Sequence, residues 1–143
     1  MSSVPMSELA RKVFHNGFVP QFSTKGLIAL RDALVKRDPF LMAGVSVDPP
    51  PLQMFENEPV VGCCPIAFAA SDGEAAQRTV GEVETAFALT YWRAGEALNE
   101  PTIGRHFANY WDDTPIEQAR RELLVEVEVA LAGRKSLTSS AAA

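Results

Sequence analysis

Apolar residues recur at helical spacing along most of this chain. Ser7 precedes Leu9, Val13 and Phe14, which predicts a short amphipathic helix with a serine cap. Gly17 is placed to stop that helix, with Phe18 as the following apolar contact. Leu27, Leu30 and Leu34 share one face and predict a second helix over 24–37, with Asp32, Lys36 and Arg37 on or near its solvated side. Asp38-Pro39 ends the segment, and a single turn through Phe40, Leu41 and Met42 follows, stopped by Gly44.

The middle of the chain is of another kind. Val45-Ser46-Val47 and Val60-Val61 read as two brief strands, separated by Pro49-Pro50-Pro51 and a turn over Leu52 to Phe55. Paired, they make a small two-stranded element that depends on packing against helices. Helical signals return at Cys64-Pro65, with proline at the first helical position, and Asp72-Gly73 breaks that run. Thr79-Val80-Gly81-Glu82 matches a capping box and opens a helix to about Gly95, with Val83, Phe87 and Tyr91 on its buried stripe. Ile103, Phe107 and Tyr110 predict a further short helix.

Thr114-Pro115-Ile116-Glu117 combines a capping box with a helix-starting proline. The final helix then puts Ile116, Leu123, Val127, Ala130 and Leu131 on one side and stops at Gly133. Val125-Glu126-Val127-Glu128-Val129 instead alternates as a strand does. The start signal, the length and an i,i+4 pair of Glu117 with Arg121 favour helix. The fold class expected is mainly α: one compact domain over residues 1–134, built of five or six short-to-medium helices. It carries at most one small two-stranded β element at 45–61, and a flexible tail follows at 135–143.

Length and composition agree with that picture. The chain has 143 residues, 47% hydrophobic and 22% charged, the make-up of a globule that buries a core without a metal or disulfide. A net charge of −5 supplies no broad basic face for phosphates or anionic lipids, so a nucleic-acid clamp and a membrane-surface protein are disfavoured. No apolar run approaches the ~20 residues that span a bilayer, and Met1 to Met6 lacks the pattern of a secretory leader. Cys63 and Cys64 are adjacent and poorly placed to bridge each other, which points to a reducing cytoplasm.

Three groupings carry candidate chemistry. Cys63 and Cys64 stand at a helix start, where unpaired amides and the helix dipole stabilise a thiolate. With His106 and then Asp112 or Asp113 downstream, they set out the cysteine, histidine, acid order of papain-like and amidase-type cysteine hydrolases. The plainer reading makes the cysteines small buried hydrophobes. His15, Cys63, Cys64 and His106 lack paired-ligand spacing, so no metal is expected. Phosphate loops, dinucleotide fingerprints and EF-hand spacings are absent, so no cofactor is expected either. Tyr91, Trp92, Tyr110 and Trp111 form the third grouping, aromatic residues of the kind that dominate interaction hot spots. Met42, Met54 and Phe55 offer a further small-ligand pocket.

Cys63-Cys64-Pro65-Ile66-Ala67-Phe68-Ala69 and Tyr110-Trp111-Asp112-Asp113-Thr114-Pro115 resemble segments of certain small actinobacterial and phage proteins of unknown function. Those proteins carry a cysteine-containing, alanine-rich helix start and a Trp-Asn/Asp-Asp-x-Pro lead into a final helix. The resemblance covers the last half of the chain and implies a small helical accessory protein. The function expected is therefore binding to a protein partner, with self-association, through Tyr91, Trp92, Tyr110 and Trp111. The alternative is a cysteine-dependent hydrolase or transferase using Cys63 or Cys64 with His106 and Asp112.

Overall fold

The computed structural model describes the backbone of residues 6–142 and the side chains of residues 6–136. Six α-helices and one two-stranded antiparallel sheet make up the fold among the described residues. They are α1 (Glu8–Lys12), α2 (Thr24–Val35), β1 (Val47–Asp48), β2 (Gly62–Cys63), α3 (Pro65–Ala70), α4 (Val80–Ala97), α5 (Arg105–Asp113) and α6 (Ile116–Ala142). Every helix contributes to one buried apolar cluster, through Ala10, Leu27, Ile66, Val83, Phe107 and Leu123 among others.

The helix starts are fixed by side chains that satisfy free backbone amides. Ser7 Oγ accepts from Ala10 N at 3.1 Å, and Ser23 Oγ accepts from Gly26 N at 2.9 Å. At α4 the capping box is complete: Glu82 N donates to Thr79 Oγ1 at 3.3 Å, and Thr79 N donates to Glu82 Oε1 at 2.9 Å. At α6 the expected pairing is replaced. The Glu117 carboxylate turns to Arg37 at 3.5 Å and Arg120 at 3.9 Å, and not to Arg121.

Two expected stops are not stops. The chain passes through Gly17 as a π-helical turn, Val13–Phe18, followed by a 3₁₀ turn, Val19–Gln21. The wider turn brings Val13, Phe14, Gly17 and Phe18 to the buried side together. Gly17 is needed for proximity: a Cβ there would stand 3.0 Å from the Cβ of Ala94 on α4. Leu9, expected on the buried face, is 43% exposed. Likewise α6 runs past Gly133 to Ala142, so residues 135–142 continue a helix where a tail was expected. The side chains of 137–143 lie outside the described residues.

The alternating stretch of α6 resolves through burial. Val127 faces the core, Val125 and Val129 face out, and the buried Glu126 is paired. Its carboxylate meets His15 Nε2 at 2.7 Å and Arg11 Nε at 3.2 Å, tying the first helix to the last. Such pairing offsets the penalty of placing a carboxylate inside.

The brief strands form further along than the sequence suggests: Val47 pairs with Cys63 and Asp48 with Gly62. Met42 N also donates to Cys63 O, and Cys63 N donates to Phe40 O, each at 2.9 Å. The irregular segment 40–64 is thereby stitched to itself and laid across the helices.

At the far end of α4, Gly95 lets the 98–104 loop fold back onto the helix, since a Cβ there would stand 2.7 Å from Pro101 O. Gly133 meets nothing within 4 Å. Gly95→Ala is therefore expected to lower stability by about 1–3 kcal/mol. Gly133→Ala is expected to raise it by about 1 kcal/mol, through helix propensity alone. Urea unfolding followed by circular dichroism measures both.

Candidate functional site

The α4 and α5 helices, the segment 44–46 and the start of α3 enclose a cavity of about 150 Å³. Phe18, Ile66, Phe87, Tyr91, Phe107 and Trp111 supply its apolar wall. The rings pack in a chain. Phe18 meets Phe107 edge-on with centroids 5.9 Å apart, Phe18 meets Tyr91 at 6.1 Å, and Tyr91 meets Phe87 at 5.5 Å. Their spacing lies in the range where aromatic pairs attract beyond simple burial. Trp111 is 1% exposed and donates its indole N–H to Met42 O at 2.7 Å.

Polar groups at this cavity come from Ser46, Cys64 and Asp112. Asp112 is exposed, and its Oδ1 accepts from Gly44 N at 2.8 Å. Ser46 Oγ donates to Glu84 Oε2 at 2.8 Å. Partial burial pushes the Glu84 carboxyl up, and the Ser46 hydroxyl opposes that shift.

Phe87, Tyr91 and Ala108 belong both to this cavity and to an open shelf that continues along α4 over Ala88, Trp92, Pro101 and Thr102. Trp92 is 58% exposed and Leu89, one turn earlier, is 41% exposed. The four aromatic residues singled out from the sequence therefore divide. Tyr91 and Trp92 line the shelf, whereas Trp111 is interior wall. Tyr110 is partly buried and donates its hydroxyl to Glu122 Oε1 at 2.6 Å, on the side of the helix that faces α6. Neither Tyr110 nor Trp111 stands on an exposed binding face, a correction with a simple cause: α5 is short and packs on both flanks. Phe18, Phe87 and Ile66 carry only local signals in the sequence, and the tertiary contacts of three separate elements make them one wall.

The cysteine arrangement is also redrawn. Cys63 is fully buried in β2, and burial pushes its thiol far above the ordinary range, with the neighbouring Cys64 adding to the shift. Cys64 caps α3, its Sγ accepting from Ala67 N at 3.4 Å. That bond and one from Ile66 favour a thiolate, but burial outweighs them, and the carboxylates of Asp112 and Glu84 add to it, so the thiol is pushed up to about 12. Only the alternative hydrolase reading needs an activated thiol at the helix start; desolvation wins, in line with the plainer reading of a buried cysteine. Asp112 shares the cavity with Cys64, while His106 lies outside its lining and faces Glu100 at 3.7 Å. Among the described residues no hydrogen bond joins either thiol to His106.

His15 is engaged with Glu126, and among the described residues no group of three or more His, Cys, Asp or Glu side chains is gathered to hold a metal. Met54 is 76% exposed while Met42 packs against Gly62, so the methionine pocket does not form. No helix among the described residues is long and apolar enough to cross a membrane. No family model, curated protein or solved structure matches the chain, so its function has to be argued from the chemistry of the site.

Neutral thiols are poor nucleophiles. At pH 7 iodoacetamide is expected to leave Cys63 unmodified and to alkylate Cys64 far more slowly than free cysteine, with both reacting once the chain is unfolded. Because the folded Cys64 holds its proton to about pH 12, whereas an unfolded thiol loses it near pH 8.5, the unfolded state binds fewer protons between those values. Stability should fall as pH rises through that window. Mass spectrometry of alkylated protein and urea midpoints from pH 8 to 11 check the two outcomes.

Proposed function

We propose that this chain is a small accessory protein that works by holding another protein, and that the shelf along α4 is the contact. Trp92 carries the reading. Its indole is more than half exposed on a helix whose neighbouring Leu89 is also exposed, and it shares an open shelf with Phe87, Tyr91 and Pro101. An exposed indole presents a large apolar area on two rotatable bonds, so fixing it costs little rotamer entropy. The partner is taken to offer a segment with an aromatic or branched aliphatic side chain that lies against Trp92 and Tyr91. The cytoplasm suits the two free thiols, which stay unpaired in a reducing compartment.

Self-association draws support from a second apolar strip, where Val125 and Val129 of α6 are 58% and 55% exposed beside Leu124 and Ala132. Two half-exposed valines fall far short of the roughly 800 Å² per partner that a stable interface buries. The α4 shelf is therefore the principal surface, and the α6 strip at most adds to it.

Immobilised native chain, incubated with lysate of its host, is expected to retain a partner that Trp92→Ala retains at least tenfold less well, a loss in the range of an interface hot spot. Val125→Asp, on α6, is expected to retain it fully. Equal capture by the native chain and by Trp92→Ala would overturn the reading.

A further inference from the structure

The partly open cavity behind the shelf has a chemistry of its own, and the inference from it goes beyond the partner-binding reading and does not rest on it. We infer that the cavity is a binding site for a small primary amine with a single aromatic ring or a body of similar size, its ring among Phe18, Phe107 and Trp111 and its ammonium beside Asp112. Three observations lead there.

Size comes first. A cavity of about 150 Å³ lined by apolar side chains is of the volume that admits a benzene-sized molecule. It is below the ≈ 300–1,000 Å³ of sites for drug-sized ligands, which favours a single-ring body.

Wall chemistry comes second. Phe18, Phe107, Tyr91 and Trp111 present rings from three helical elements, and the indole N–H is already committed to Met42 O. Phe107 stacks on Phe14 and meets Phe18 edge-on, so the wall is an apolar aromatic surface with little hydrogen-bonding demand of its own.

The sign of the charge is third. Asp112 belongs to the lining, and one of its oxygens is fixed in place by Gly44 N. Glu84 lies behind Ser46, adding negative charge on the same side. Arg105 is the cation on the Tyr91 side, and its guanidinium is engaged with Thr102. The negative field of Asp112 and Glu84 is also felt by the Cys64 thiol in the lining, which it helps to keep protonated. A carboxylate ligand is disfavoured in that field, a neutral one is accepted, and an ammonium gains an ion pair at the mouth. The mouth is exposed, so the gain is modest.

Benzylamine, benzyl alcohol and benzoate serve as probes of matched size and different charge at pH 7. They are titrated at low salt into the Trp92→Phe chain, where Trp111 is the remaining indole and lines the cavity. Saturable change in Trp111 fluorescence is expected for benzylamine, about threefold to fivefold tighter than for benzyl alcohol, as an exposed ion pair supplies, with benzoate weakest. Asp112→Asn keeps an acceptor for Gly44 N and removes the charge, and is expected to make amine and alcohol equal. Ala108→Leu, checked by its melting curve, is expected to abolish binding of all three by filling the space. Trp92→Ala, which removes partner capture, is expected to leave benzylamine binding intact. The inference is overturned if benzylamine shows no saturable change, if Asp112→Asn leaves the amine preference unaltered, or if a folded Ala108→Leu binds as the native chain does.

Discussion

Trp111 donates its indole N–H to the carbonyl of Met42, and the ring behind that bond is almost wholly removed from solvent. That one contact joins α5 to a segment with very little regular structure. Residues 40–48 pair with 61–64 through bonds of 2.9–3.0 Å, including Cys63 N to Phe40 O and Cys64 N to Ser46 O. Two-residue strands do not hold a chain in water by themselves. Here they are held because Leu41, Val47 and Cys63 are buried against the helices and because Trp111 closes the carbonyl that the strands leave over. The cavity inherits its shape from this arrangement, since Trp111 is one wall and Gly44 to Ser46 are another.

The last helix is anchored differently, by polar groups reaching inward at intervals. Glu126 gathers His15 and Arg11, and Glu122 receives Tyr110 and Gln118. Arg120 donates to the carbonyls of Asp38 and Leu41, and Arg134 donates to Val19 O at 2.7 Å. Charge-assisted bonds to partly buried groups are stronger than exposed ion pairs. They fix the rotation of α6, so that Leu123 and Val127 face in while Val125 and Val129 face out. They act with the apolar side of Ala119, Leu123, Val127 and Ala130, which is buried in the core.

Local signals in the sequence were enough for the helix starts. Ser7 and Thr79 each cap as their spacing indicates, because capping depends only on residues within one turn. The mainly helical class was legible for the same reason. Asp72-Gly73 does break its run and Gly44 does turn the chain, each glycine at positive φ, but two other glycine stops were not legible. Gly17 and Gly133 look alike in sequence, yet the first serves the approach of Ala94 and the second stands in open space inside a continuing helix. The candidate site was legible only in part: of the four aromatic residues named for binding, Tyr91 and Trp92 line the open shelf, but Trp111, adjacent to Tyr110, is interior. The helix dipole at Cys64 is outweighed by burial, with Asp112 and Glu84, residues far off in sequence, adding to it. At Gly17, Trp111 and Cys64 the deciding interaction is a contact between elements that no window of sequence contains.

The two tryptophans stand in opposite settings: Trp111 is interior wall, 1% exposed, whereas Trp92 is 58% exposed and is the aromatic proposed to meet a partner. Emission and acrylamide quenching of the Trp92→Phe chain, which leaves Trp111 alone, test this most directly. A blue-shifted spectrum, protected from quencher until urea unfolds the chain, is the result predicted. Red-shifted emission quenched as readily as free tryptophan in the folded protein would contradict it.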